Sequence, residues 1–224
     1  MFTVHHLNNS RSQRVLWALE ELGLPYDIRA YQRDARTMLA PKELKAVHPL
    51  GLSPVVEYTD DAGERVVLAE SGAILEALAA HAGGALRPHG GAAGRACTYW
   101  LHYAEGSLMP LLLLRLVMGE ISGKKIPWAV RPMAKAIAAT VNATFVDPRL
   151  ALHLDVIDRH LGTSAFFAGD ALSIADIQMS FPVLAARHRA GLGERKHLQA
   201  WLARIEAMPG LQRAIHKGGP ISFD

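Results

Sequence analysis

Cysteine occurs once in the 224 residues, at Cys97. A lone thiol excludes an intramolecular disulfide, a cysteine-based zinc cluster and a CxxC redox pair. Long hydrophobic runs are missing too. The longest apolar stretch, residues 108–118, is interrupted by Pro110 and Arg115 and falls well short of the roughly 20 residues that a bilayer-spanning helix requires. No membrane partner is expected. Residues 1–9 carry no basic segment followed by an apolar run and a small-residue cleavage site, so the expected location is cytoplasmic. Neither sign of charge dominates: 24 basic residues against 21 acidic, scattered along the chain, leave no footprint for nucleic acid. His5, His6 and His102 have no companions at metal-ligand spacing and read as structural, and no metal is expected.

What is present is the balance of a globular protein, half hydrophobic and one fifth charged, in a chain long enough for two packed domains. Residues 2–7 read as a strand and 10–22 as a helix with apolar spacing at Val15, Leu16, Leu19 and Leu22, stopped by Gly23 and Pro25. A strand over 26–31 and a short helix over 41–47 complete a βαβ unit, which implies parallel neighbours and a right-handed crossover. Runs 55–58 and 66–68 flank a turn and predict a hairpin, and a helix over 71–81 follows. The order βαβαββα is the thioredoxin-like arrangement, assigned to residues 1–82. Gly83, Gly84, Pro88, Gly90 and Gly91 crowd a linker. Beyond it, residues 92–224 are expected to be all-helical, with helices over 93–118, 132–146, 148–161, 173–189 and 196–208. Asp147-Pro148 is expected to start a new helix or kink a long one.

Three places in the first unit carry chemistry. In the turn Leu7-Asn8-Asn9-Ser10-Arg11-Ser12, a thiol at the N-terminus of the following helix would be biased toward thiolate by open backbone N–H groups and the helix dipole. A hydroxyl at Ser10 suits the sulfur's hydrogen-bond partner, and the same hydroxyl suits an ordinary helix cap. Asn9 and Ser12 compete with Ser10, because one residue of error in the helix start rotates each of them. In Leu50-Gly51-Leu52-Ser53-Pro54-Val55, a cis Ser53–Pro54 bond would turn the Ser53 backbone outward to pair with an extended peptide, whereas a trans proline would simply block an edge strand. In Glu70-Ser71-Gly72-Ala73-Ile74, the helix start at Ser71 suits a carboxylate and Glu70 suits an ammonium, the two charges of an amino acid; a plain capped helix after an exposed acid is the alternative.

These motifs, in this order, resemble the cytosolic glutathione transferases, most closely bacterial and fungal members, over nearly the whole chain. The resemblance implies a serine-type enzyme, since the tyrosine-type position reads His5-His6-Leu7-Asn8 and the cysteine-type position holds Ser10. It implies Ser10, with Asn9 second, as the residue at the sulfur. It also implies Leu52, Ser53 and Pro54 as the loop along the cysteinyl backbone, and Glu70 with Ser71 as the γ-glutamyl clamp. Glutathione is then the co-substrate, no cofactor or metal is needed, a small hydrophobic electrophile is the second substrate, and a homodimer is the expected assembly. Peroxidase or disulfide-reductase chemistry, or glutathione binding without turnover, are the rival activities. Leu52 stands where many members carry Lys or Gln for the glycyl carboxylate, so His48, Arg36 or Lys42 is expected to substitute. Ser173-Ile174-Ala175-Asp176 matches the family's structural capping box, which makes Asp176 a fold residue. Tyr103, Glu105 and Ser107 are the first places to look for pocket or cross-subunit contacts.

Overall fold

A computed structural model describes residues 1–121, 123 and 126–222. Residues 122, 124, 125, 223 and 224 of the expected helical unit lie outside the described residues. The first strand, β1 (Phe2–Leu7), leads into α1 (Ser12–Leu22), β2 (Tyr26–Tyr31), α2 (Glu43–Val47), the hairpin β3 (Val55–Thr59) and β4 (Arg65–Ala69), and α3 (Ser71–His81). The sheet order is β2-β1-β3-β4, with β1 and β2 parallel and the other pairs antiparallel. This is the βαβαββα thioredoxin-like arrangement. A single left-handed residue, Gly23 at φ +64°, ends α1, a conformation that glycine adopts without a Cβ clash.

The α1 helix is buried on every side. Val15, Leu16, Trp17, Ala18 and Leu19 are all fully buried, and the helix packs against β1, α3 and two helices of the second half, Ile174–Arg189 and Pro209–Gly218. A helix enclosed by both halves of the molecule cannot shift without disturbing both. Each large side chain fully removed from water contributes about 1.5–3 kcal/mol.

After the linker come α4 (Gly91–Tyr103), α5 (Met109–Ile121), α6 (Arg131–Val141), α7 (Asp147–Leu161), α8 (Ile174–Arg189), α9 (Lys196–Glu206) and α10 (Pro209–Gly218). No named strand follows residue 82 among the described residues. Two π-helical turns, Ala104–Leu108 and Asn142–Val146, join α4 to α5 and α6 to α7. Each ends two residues before a proline, Pro110 or Pro148. Proline has no N–H and its ring presses on the carbonyl four residues back; a turn bonded five residues apart moves that carbonyl aside, so the helix continues. At Asp147-Pro148, expected to start a new helix or kink a long one, α7 follows α6 directly through a widened turn.

Other boundaries move for local reasons. The first helix starts at Ser12 and not at 10, and the second at Glu43 and not at 41. The helix α10 is missing from the expectation, although Pro209 at its first turn is a start signal. The capping box forms as expected. Both the N–H and the hydroxyl of Ser173 donate to Asp176 Oδ2, at 3.0 and 2.8 Å, and Asp176 Oδ1 accepts from Phe167 N–H and Trp201 Nε1–H, each at 2.9 Å. Every contact of this fully buried carboxylate is structural.

Candidate functional site

One row of paired residues crosses the sheet: His5 of β1 stands opposite Val55 of β3, and Val55 opposite Ala69 of β4. Because β3 runs against both neighbours, the chain leaves β1, enters β3 and leaves β4 at the same sheet end. The three motifs read from the sequence converge there.

The Ser53–Pro54 peptide bond is cis. Ser53 Oγ donates to the His5 carbonyl at 2.8 Å and accepts the Leu7 N–H at 3.2 Å, which fastens the loop to β1. The N–H and C=O of Ser53 pair with no other backbone group among the described residues. Leu52 is 59% exposed and offers only an apolar surface. In the same loop, the ring Nδ1 of His48 is buried and has no partner among the described residues, whereas Arg36 and Lys42 are exposed.

At the β4–α3 junction, Glu70 is exposed and adopts φ +71°, a conformation that costs a non-glycine residue roughly 1–3 kcal/mol. The first helical bond of α3 runs from Ile74 N–H to Glu70 C=O, leaving the N–H groups of Ser71, Gly72 and Ala73 ahead of it. Ser71 Oγ accepts from Arg14 Nη1 at 3.1 Å, so α1 and α3 are joined directly behind the site. Arg14 is itself buried and also donates to Glu105 Oε1 at 2.6 Å, while Arg11 Nε reaches the same oxygen at 2.9 Å. Both guanidiniums lie over the Phe181 ring, at 5.2 and 5.3 Å. Of the three residues singled out on the long helix, Glu105 thus enters the site's support, Tyr103 bonds its hydroxyl to His153, and Ser107 is half-buried.

The turn after β1 holds Asn9 in the left-handed region, at φ +50°, which asparagine tolerates. Arg33, which the sequence reading missed, clasps this turn: its Nε and Nη2 donate to the carbonyls of Asn8 and Asn9 at 3.2 and 3.3 Å. No motif marks it. Asn9 Oδ1 accepts the Ser222 N–H at 2.8 Å, which brings the C-terminal segment over the turn.

Ser10, Ser12 and His6 form a chain of hydroxyls and imidazole. Ser10 Oγ lies 2.7 Å from Ser12 Oγ, Ser12 Oγ 2.8 Å from His6 Nδ1, and His6 Nε2 2.8 Å from the Gly218 carbonyl. A carbonyl only accepts, so Nε2 carries a proton. Burial pushes His6 below its ordinary value against the pull of the Gly218 carbonyl, which leaves Nδ1 bare at neutral pH. Of the two acceptors that Ser12 Oγ faces, His6 Nδ1 at 2.8 Å is nearer than the Leu7 carbonyl at 3.3 Å and has no proton of its own, so Ser12 gives its proton to Nδ1 and the Ser10–Ser12 contact is carried by the proton of Ser10. Ser10 Oγ also accepts the Ser12 N–H at 3.2 Å and keeps one lone pair for a further donor. Both serines are buried, Ser10 at 5% exposed and Ser12 fully.

No group of three or more His, Cys, Asp or Glu suited to a metal occurs among the described residues. Cys97 is buried away from this turn on α4, where burial pushes its thiol up. A cavity of about 590 Å³ lined by Gln13, Leu184, Ile215 and Ile221 opens beside the C-terminal segment, and Ser10, Ser53 and Ser71 are not among its lining residues.

A profile of the glutathione S-transferase N-terminal domain matches residues 10–81, and one of the glutathione S-transferase C-terminal domain matches 132–209. Glutathione S-transferase 3 of Schizosaccharomyces pombe is 35% identical, covering 97% of this chain and 88% of the relative. Glutathione S-transferase 1 of Saccharomyces cerevisiae is 32% identical, covering 90% and 88%. The crystal structure of a glutathione S-transferase from Actinobacillus pleuropneumoniae superposes with a TM-score of 0.81 at 30% identity, covering 99% of this chain and 95% of that one. With sequence, fold and the geometry of the sheet end in agreement, the chain belongs to the glutathione S-transferase family.

Proposed function

We infer that this glutathione transferase seats its tripeptide across the sheet end and adds the sulfur to a small apolar electrophile. Residues 1–82 hold glutathione: the Ser53 backbone pairs with the cysteinyl residue, Pro54 fixes that strand of the loop, and Glu70 with the N-terminus of α3 at Ser71 takes the γ-glutamyl charges. Leu52 packs against the tripeptide's backbone without anchoring its carboxylate. Ser10 acts on the sulfur, with Asn9 beside it. The helical unit, residues 92–224, supplies the electrophile's surface. The observation that carries this reading is the convergence of the unpaired Ser53 N–H and C=O, the open start of α3 and the Asn9–Ser10 turn at one end of one sheet.

A thiol moved from its ordinary pKa of about 8.5 to about 6.5 requires roughly 2.7 kcal/mol, within the reach of one charge-assisted hydrogen bond and a helix N-terminus. No metal or redox cofactor enters this chemistry. Exposed Tyr99, Leu113 and Val117 on α4 and α5 support a homodimer through these helices, and a cytoplasmic location suits the glutathione supply.

Calorimetric titration with glutathione, followed by conjugation assays on a chlorinated nitroarene, tests the reading. Ser10→Ala is expected to lower turnover roughly a hundredfold with little change in glutathione affinity. Unchanged turnover moves the role to Asn9 or Ser12. Higher rates with a hydroperoxide or a mixed disulfide than with the nitroarene assign the chain to peroxidase or reductase chemistry instead.

A further inference from the structure

The direction of the hydroxyl chain raises a problem that the same chain solves. With His6 neutral, the Ser10 proton points inward at Ser12, and the outward lone pair of Ser10 cannot donate to a thiolate. It can accept from a thiol. We propose that His6, acting through Ser12 and Ser10, takes up the proton of the bound glutathione thiol, and that the same transfer turns the Ser10 hydroxyl toward the sulfur. The proposal rests on the glutathione-transferase reading of the site.

The step balances. The S–H bond breaks and its electron pair stays on sulfur. The thiol proton bonds to Ser10 Oγ, the former Ser10 proton to Ser12 Oγ, and the former Ser12 proton to His6 Nδ1. The products are a thiolate, a Ser10 hydroxyl whose new proton faces it, and an imidazolium. Both imidazolium N–H groups already have acceptors, Ser12 Oγ and the Gly218 carbonyl, at 2.8 Å each. Once the sulfur has bonded to the electrophile, the chain runs backward and delivers the proton to the departing anion or to solvent.

The surroundings keep His6 free for this task. From α1 it meets Ser12, while Arg14 of that helix is committed to Glu105 and Ser71. From α10 it meets the Gly218 carbonyl, while Arg213 and Lys217 of that helix bind Glu20. In the sheet, His6 stands opposite Ala30 of β2, and His5 turns to Tyr31 and Glu57. The charged groups named on these elements are thus paired elsewhere, and the imidazole is coupled to the turn through the hydroxyls of Ser12 and Ser10.

His6 and Ser12 are positioning residues in this scheme, and Ser10 is the group that touches the sulfur. The test measures thiolate ultraviolet absorbance and proton release together, on mixing the full chain with glutathione near pH 7 in weak buffer with an indicator dye. The wild-type protein is expected to form thiolate while releasing clearly less than one proton per thiolate. Ser12→Ala and His6→Gln are expected to release one proton for each thiolate formed and to lose about a hundredfold in kcat, with glutathione affinity within about threefold. Ser12→Thr, which keeps the hydroxyl, restores the wild-type proton balance. Release of one proton per thiolate by the wild-type protein overturns the relay, as does a proton balance unaltered in either variant. Saturable glutathione binding is measured first by calorimetry: its absence in the wild-type protein overturns the underlying reading together with the relay, whereas binding with full proton release overturns the relay alone.

Discussion

Arg14, fully enclosed in α1, has a single carboxylate partner among the described residues, Glu105, at 2.6 Å. Burial pushes the guanidinium down to about 10 against the pull of Glu105. Its Nε and Nη2 are buried without hydrogen-bond partners among the described residues, so the cation depends on Glu105, the Ser71 hydroxyl and Phe181.

Glu105→Gln leaves that buried charge without its counter-ion, and a loss of about 2 kcal/mol is expected, below the full cost of breaking a buried pair because Glu105 is one third exposed. Urea unfolding checks the value. Adding Arg14→Met to the same chain is expected to recover part of the loss, and failure to recover any assigns the effect to Glu105 packing.

Glu70 is expected to trade stability for binding. Glycine at this position adopts the observed φ of +71° without strain, so Glu70→Gly is expected to unfold at the same or a higher temperature, by up to about 1 kcal/mol. Without the carboxylate, its glutathione Kd is expected to rise about tenfold or more. A differential scanning experiment beside a titration reads both, and a variant that binds as tightly as the parent removes Glu70 from the site.

Glu20 ties α10 to α1. Burial pushes its carboxyl up, but hydrogen bonds from Lys217, Tyr26 and Arg213 outweigh it and hold the group at about 2, below its ordinary 4.5. The stabilisation is therefore complete above pH 4.5 and is lost as the pH falls toward 2. Glu20→Gln is expected to cost about 1–2 kcal/mol at pH 7, and its difference from the parent should shrink through that acidic window. Denaturant melts at pH 7, 4 and 3 follow the change, and a difference constant with pH excludes the carboxylate.

His48 is the expected anchor of the glycyl carboxylate in place of Leu52, because its unpartnered ring nitrogen is held in the peptide-facing loop. His48→Ala should weaken glutathione binding about tenfold, equivalent to roughly 1.4 kcal/mol, and Arg36→Ala should leave it unchanged. Equal affinities in both variants would falsify this assignment.

The element order βαβαββα and the motifs at Ser10, Ser53–Pro54 and Glu70–Ser71 were legible because each depends on local signals: alternation, a proline at a strand mouth, a hydroxyl at a helix start. The capping box at Ser173 and Asp176 was legible for the same reason. What escaped was long-range. Arg33 acts on Asn8 and Asn9 through backbone carbonyls, which any sequence supplies. Arg14 looks like one more basic residue on a helix until α1 is found enclosed on all sides. The widened turns before Pro110 and Pro148 depend on how a helix absorbs a proline, and the pattern alone predicts a break as readily as a bulge. His6 read as structural because its partners, Ser12 and the Gly218 carbonyl, lie six and 212 positions away.

The two bonds from the C-terminal segment, Gly218 to His6 and Ser222 to Asn9, make the Asn9–Ser10 turn depend on a distant helix. A molecule in which α10 has come away keeps the Ser53–Pro54 loop and the start of α3 but loses the clasp behind that turn. Undocking of α10 would therefore act on the turn from a distance, and the carbonyl of Gly218 reports to the opening strand that the helix is in place.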